Sequence, residues 1–93
     1  MSAFDLGAVS TFRDLHVDKA QAVKVLEEAG EVVDATKRFI ARQDAPTRTE
    51  LLDECADVCQ AVANLLAALG VDGDEWAAAV GRCEKRNRER GRY

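Results

Sequence analysis

The chain carries the same acidic segment twice, and this repeat limits how it can fold more than any other feature. Residues 26–33 read Leu-Glu-Glu-Ala-Gly-Glu-Val-Val, and residues 52–59 read Leu-Asp-Glu-Cys-Ala-Asp-Val-Cys. The two segments match position by position at an offset of 26 residues. In both, apolar residues recur at helical spacing and two acids three residues apart share one flank. Two copies predict a pair of related helices rather than a solenoid, which needs at least three repeats.

The acids occupy equivalent places on the two predicted helices. With about 100° per residue, Glu28 lies at the edge of an apolar arc and Glu31 about 60° away from it. Glu54 and Asp57 take the same two angular positions on the second segment. Antiparallel packing through the apolar arcs would therefore bring four carboxylates together at one rim. The first arc consists of Ala22, Val25, Leu26, Ala29, Val32, Val33, Phe39 and Ile40.

Capping pairs predict three helices. A polar side chain followed three residues later by Glu or Gln is typical of a helix N-terminus. Because Asp44-Ala45-Pro46 interrupts the first pattern and Gly70 stops the second, we expect helices at about 18–43, at 48–69 and from 73 onwards. The pairs are Asp18 with Gln21, Thr47 with Glu50, and Asp72 with Glu75.

No stretch shows the period-two alternation of a strand, so the predicted class is all-α. We expect one domain over residues 1–93: an antiparallel bundle of two long helices, a shorter C-terminal helix and a short N-terminal leader. The leader, residues 1–17, is variable in pattern and could include a short helix over 10–16. Hydrophobic residues make up 47% of this small chain, more than two long helices can bury alone. The fold is therefore expected to be completed by oligomerisation.

The cysteine count and the hydropathy limit the cellular compartment in which the protein is expected and the kinds of site it can contain. Cys55 and Cys59 stand one turn apart on the apolar face and are predicted to be small buried hydrophobes. An odd count of three without disulfide-type spacing indicates a reducing compartment, so a cytoplasmic location is expected. The single histidine argues against a zinc site. No apolar run approaches 18 residues, so no membrane contact is expected.

Close carboxylates repel, and this repulsion suggests a purpose for the repeat. At about 4 Å and an effective dielectric constant near 20, each pair costs about 4 kcal/mol. A bound divalent cation relieves that cost, and oxygen-only ligands favour Mg²⁺ or Mn²⁺. A di-iron site would need Glu-x-x-His on two helices, and no histidine follows either acidic pair. The alternative is that both clusters are solvated helix faces, helped by the Lys24–Glu28 pair.

Charge is divided unevenly along the chain. Residues 82–93 carry six Lys and Arg against two Glu, whereas the remainder carries seven bases against fifteen acids. This basic C-terminal segment is either a solvated helix end favoured by the helix dipole or an anion-binding segment. Beside a metal site, it predicts a polyphosphate substrate held by Lys85, Asn87 and Arg90. The chain has no Gly-x-x-x-x-Gly-Lys loop, so a P-loop protein is excluded.

These motifs resemble the MazG-type all-α nucleoside triphosphate pyrophosphohydrolases over about residues 19–93. The resemblance implies Mg²⁺-dependent hydrolysis of a nucleoside or deoxynucleoside triphosphate to the monophosphate and pyrophosphate, as nucleotide-pool housekeeping. It also implies a homo-oligomer, with a tetramer favoured over a dimer, and a nucleotide rather than a nucleic acid polymer as the partner. The matching motifs are Lys24-x-x-Glu27-Glu28-x-x-Glu31, Asp53-Glu54-x-x-Asp57 and Lys85-x-Asn87-x-x-Arg90.

Carried over residue by residue, the resemblance assigns roles. Glu27 and Glu28 would be catalytic, with Glu27 either supporting the metal ligands or helping to orient the attacking water. The metal ligands would be Glu28, Glu31, Glu54 and Asp57, and the substrate contacts would be Lys24, Lys85, Asn87 and Arg90.

Two other functions stay open at this point. One is a biosynthetic enzyme that acts on phosphoribosyl-ATP, and the other is a non-catalytic helical interaction or regulatory protein. Phe12, Trp76 and Tyr93 are the aromatic candidates for contact with a base. The competing interpretation of Trp76 is that it packs into the bundle.

Overall fold

The computed structural model describes residues 3–93, which form three helices and no strand. The helices are α1 (Lys19–Arg42), α2 (Ala45–Ala68) and α3 (Gly73–Glu89). The predicted all-α class, with two long helices and a shorter third, is confirmed. None of these helices is both long and apolar enough to span a bilayer.

The chain divides into two compact units. One unit, Val9–Leu69, contains α1 and α2. The other consists of Gly70–Tyr93, which contains α3, and of described residues 3–8. The expectation of one domain over residues 1–93 stays a prediction, and the first two residues of the expected leader lie outside those described.

α1 and α2 form an antiparallel hairpin joined by only two residues. Near the turn, Arg38 of α1 forms an ion pair with Glu50 of α2, and its Nε donates to Glu50 Oε1 at 2.6 Å. Farther from the turn, Glu28 of α1 lies beside Glu54 of α2. Contacts therefore progress in opposite directions along the two helices, as the sequence repeat predicts.

The start of α2 differs from the prediction. Thr47 was expected to cap a helix starting at 48, but Asp44 is the N-cap and the helix begins at Ala45. Asp44 Oδ1 accepts hydrogen bonds from the Thr47 N–H at 3.0 Å and from Thr47 Oγ1 at 2.6 Å. These hydrogen bonds lower the pKa of Asp44. Pro46 is tolerated in the first turn because its missing N–H has no helical partner there.

The other two caps agree with the sequence. Asp18 accepts from the Gln21 N–H at 3.0 Å and starts α1 at Lys19. Asp72 accepts a hydrogen bond from the Glu75 N–H at 2.9 Å, and the Glu75 carboxylate accepts one from the Asp72 N–H. This capping box starts α3 at Gly73. α2 ends before Gly70, whose φ of 70° suits a glycine after a helix C-terminus.

Residues 10–16, which could have formed a short helix, are not helical in the described leader. Asp14 has a φ of 58°, which interrupts a right-handed helix. Farther along α2, Gln60 and Asn64 bond to the backbone of Ser10 and Phe12. These side-chain hydrogen bonds replace the ones that a helix would supply to the leader.

The interface between α1 and α2 covers only part of the predicted apolar arc. Ala35 and Ala61 are buried, whereas Leu26 and Ile40 are 72% and 65% exposed. The residues of α1 that turn toward α2 recur every three or four positions and include Glu28 among apolar side chains. One neighbouring helix is too narrow to cover the whole arc. The half-buried or buried α1 residues are Gln21, Val25, Glu28, Val32, Ala35, Thr36 and Phe39.

Two further burial predictions are wrong. Cys55 is exposed and Cys59 is only half-buried. Trp76 is exposed on α3 instead of packing into a bundle.

The small size of the buried alanines makes the hairpin sensitive to added volume. Ala35→Leu should lower the free energy of unfolding by about 1–3 kcal/mol, because a larger side chain forces the two helices apart. Chemical denaturation followed by circular dichroism measures the change. Ala41→Leu, at an exposed position of the same helix, is the control and should stay within about 0.5 kcal/mol of wild type. Equal effects of the two substitutions would contradict the close contact at Ala35.

Candidate metal centre

Three carboxylates from the two long helices converge on one point. One oxygen from each of Glu28, Glu54 and Asp57 lies within 4.8 Å of the others. α1 supplies Glu28, and one turn of α2 supplies the other two. Two ligands of a single octahedral Mg²⁺ lie at most about 4.2 Å apart, since each bond is about 2.1 Å. Small side-chain rotations would close this gap, so the oxygen-only donor set fits a hard divalent cation.

Partial burial distinguishes this cluster from an ordinary acidic helix face. The side chain of Glu28 is only 16% exposed, because its position faces α2 between Val25 and Val32. Glu54 is half-buried. Burial, followed by the negative charges of Asp57, Glu31 and Glu28, raises the pKa of Glu54 above its ordinary value. The site therefore disfavours its own negative charge and would gain from a bound cation.

A lysine already neutralises part of the cluster. Lys24 Nζ lies 3.0 Å from Glu28 Oε1 and 3.8 Å from Glu27 Oε2. The hydrogen bond to Glu28 is the main cause of the raised pKa of Lys24. Because Lys24 is one turn before Glu28 on an exposed flank, its ammonium can also move toward solvent or a ligand.

The structure brings together three of the four predicted metal ligands. Glu31 is exposed and lies outside the close group, although its charge contributes to the raised pKa of Glu54. Glu27 is exposed and contacts Lys24. The 60° step between Glu28 and Glu31 explains the difference, since only Glu28 turns into the interface.

The three predicted substrate contacts near the C-terminus belong to the α3 unit. Asn87 Nδ2 donates to Cys83 Sγ at 3.6 Å, and Asn87 Oδ1 accepts from Arg92 Nη1 at 3.1 Å. Arg90 is the C-cap of α3, and Lys85 is exposed on that helix. Their contact with a substrate stays a prediction.

A cavity of about 210 Å³ adjoins the carboxylates within the α1–α2 unit. Its lining combines charged side chains with an aromatic ring and two amides: Lys24, Glu28, Asp57, Phe12, Gln60, Ala61 and Asn64. Gln60 and Asn64 are not among the site residues predicted from the sequence.

A signal for both residues was present in the sequence. Two amide side chains one turn apart interrupt the apolar stretch from Val58 to Leu66. Asn64 is buried, and such a polar group in a helix interface needs a hydrogen-bond partner.

One comparison with known proteins gives a result. A family model described as phosphoribosyl-ATP pyrophosphohydrolase matches residues 10–84, which include both acidic segments and the cavity. No curated protein and no solved structure matches the chain. The family match covers well over half of the sequence and agrees with the all-α hairpin and its paired carboxylates. The chain belongs to the phosphoribosyl-ATP pyrophosphohydrolase family, a branch of the MazG-like all-α nucleotide pyrophosphohydrolases.

Proposed function

We propose that this protein hydrolyses the α–β phosphoanhydride of a nucleoside or deoxynucleoside triphosphate in a Mg²⁺-dependent reaction. The products would be the monophosphate and pyrophosphate, and the physiological role would be nucleotide-pool housekeeping. The observation that carries the proposal is the convergence of Glu28, Glu54 and Asp57 beside a cavity in a chain of this family.

The acidic residues would have two roles: most would bind a cation, and one would orient the attacking water. Glu28, Glu54 and Asp57, with Glu31 at the exposed edge, would hold Mg²⁺, for which Mn²⁺ could substitute. When bound, the ion would offset charge on the phosphate oxygens and lower the pKa of water. Glu27 would orient the water that attacks the α-phosphorus, while the bond to the bridging oxygen breaks and pyrophosphate leaves.

Lys24 would contact the acidic residues before metal binding and the substrate after it. Its ammonium now contacts Glu28 and Glu27. A cation at Glu28 would compete with this ion pair and free Lys24 to contact a phosphate oxygen of the substrate. Lys85, Asn87 and Arg90 of the basic segment would supply the remaining contacts to phosphate or sugar.

Phosphoribosyl-ATP is the second candidate substrate, and the description of the matching family favours it. Its hydrolysis breaks the same type of bond and needs the same metal centre. The two candidates differ in the group attached to the base, so a direct comparison of substrates separates them.

We also propose a homo-oligomer, with a tetramer favoured over a dimer. Leu26, Val33 and Ile40 recur every seven residues on α1 and are exposed, and Leu52 begins an equivalent series on α2. Seven-residue spacing is typical of a helix face that packs against other helices. A second copy of the chain would cover this surface. The cytoplasmic location stays a prediction.

A nucleotide panel tests the proposed activity directly. Wild-type protein should release pyrophosphate from at least one nucleoside or deoxynucleoside triphosphate with Mg²⁺, and release should stop when EDTA removes the metal. Coupled pyrophosphate detection measures the rate. Turnover of phosphoribosyl-ATP alone would favour the biosynthetic function. No turnover of any nucleotide would favour the non-catalytic interaction protein.

Glu54→Gln should separate metal binding from stability. The amide removes one negative charge from a crowded site, so the metal-free protein should melt at a higher temperature than wild type. The same change removes a ligand, so Mn²⁺ should bind about tenfold more weakly or worse by calorimetry. Asp34→Asn, at an exposed position of α1, is the control and should leave Mn²⁺ affinity unchanged. Unaltered Mn²⁺ binding by the Glu54 variant would refute its role as a ligand.

Lys24→Met should have opposite effects on metal and substrate. Loss of the competing ammonium should tighten Mn²⁺ binding about two- to fivefold, since an exposed ion pair is modest in strength. The KM of the preferred nucleotide should rise, because a phosphate contact is lost. Lys19→Met, at the exposed start of α1, is the matched control. A fall in Mn²⁺ affinity would show that Lys24 supports the metal site instead of competing for it.

A further inference from the structure

The leader is fixed to α2 by two amide side chains. Gln60 Nε2 donates to the carbonyl oxygen of Ser10 at 2.8 Å, and the Phe12 N–H donates to Asn64 Oδ1 at 3.1 Å. Gln60 Nε2 also donates to Asn64 Oδ1 at 3.0 Å. Both N–H groups of Gln60 are therefore used in one connected network that holds the backbone from Ser10 to Phe12 in place.

This network determines the orientation of both amides. A backbone carbonyl only accepts and a backbone N–H only donates, so Gln60 must present nitrogen to Ser10 and Asn64 must present oxygen to Phe12. Asn64 is 5% exposed and lines the cavity. Within residues 3–93 its Nδ2 makes no hydrogen bond, and it is not a buried unpaired atom. Its Nδ2 therefore keeps a small exposed surface, and the residue lies at the wall of the cavity, where a bound ligand would meet the unused N–H groups.

The same network holds an aromatic ring at the cavity. Phe12 lines the cavity, yet the residue is 64% exposed. Apolar burial therefore does not explain its position, which follows from the hydrogen bonds of the neighbouring backbone. The lining of the cavity thus combines an exposed aromatic ring and an amide with the charged groups of Lys24, Glu28 and Asp57.

We infer that Phe12 and Asn64 form a nucleobase subsite. The base would stack on the ring of Phe12, and an acceptor on its edge would receive a hydrogen bond from Asn64 Nδ2. Every nucleobase offers a π-face and at least one edge acceptor, and the combination of ring stacking with an edge hydrogen bond is a common way to bind an unpaired base. The inference rests on the proposed function, because it uses the metal centre to place the phosphates.

The spacing along α2 agrees with a bound nucleotide. Asp57 and Asn64 are seven residues apart, which corresponds to about 10 Å along the helix axis. That length is similar to the span from the α-phosphorus of a nucleotide to the far edge of its base. A substrate with its α-phosphate at the carboxylates would thus extend to the level of Asn64 along α2.

Binding of nucleotides with and without a base tests the subsite. Calorimetry in Mg²⁺ would compare AMP, GMP, CMP and UMP with ribose 5-phosphate. At least one nucleotide should bind wild type more tightly than ribose 5-phosphate. Phe12→Ala should lower the affinity for that nucleotide about 5- to 100-fold and leave the affinity for ribose 5-phosphate unchanged. Phe12→Trp should keep most of the nucleotide affinity.

Phe4 provides the matched control, because it is another exposed phenylalanine near the start of the chain and does not line the cavity. Phe4→Ala should bind every ligand as wild type does. Equal nucleotide affinities of wild type and Phe12→Ala would overturn the subsite, as would a wild type that binds no nucleotide better than ribose 5-phosphate.

Pyrophosphate release is the separate readout for the proposed hydrolysis. If the protein hydrolyses a nucleotide but binds it equally well without Phe12, the subsite is refuted and the proposed hydrolysis is supported. If nucleotide binding depends on Phe12 but no pyrophosphate is released, the subsite is supported and the proposed hydrolysis is refuted.

Discussion

The close approach of α1 to α2 is the interaction on which the site depends. Ala35 and Ala61 are buried at this contact and leave room for the helix backbones to come near each other. The same approach turns Glu28 inward, where it meets Glu54 and Asp57. Packing of small apolar residues thereby provides the free energy that holds mutually repelling carboxylates together.

The repeat in the sequence was enough to predict the hairpin and most of its acidic cluster. Matching positions at a fixed offset indicate which acids can meet, because equivalent helices pack through equivalent faces. Angular position alone does not show how much of an apolar arc a neighbour covers. For that reason the burial of Glu28, the exposure of Leu26 and the outer position of Glu31 needed the three-dimensional structure.

The start of α2 and the position of the leader depend on side-chain hydrogen bonds that the sequence alone does not predict. Asp44 and Thr47 are both good capping residues, and the sequence does not show that Asp44 accepts two hydrogen bonds from Thr47. The leader depends on contacts with residues about 50 positions away, such as Ser10 with Gln60. Helical periodicity carries no information about contacts of that range, so Gln60 and Asn64 were missed.

The two-residue turn between α1 and α2 has a consequence for how the hairpin assembles. Arg38 and Glu50 are 12 residues apart in sequence, whereas Glu28 and Glu54 are separated by 26. Closing the shorter loop costs less chain entropy, so pairing should begin at the turn and advance toward the carboxylates. The acidic end would then form late in folding and open first in native fluctuations, while the turn stays paired.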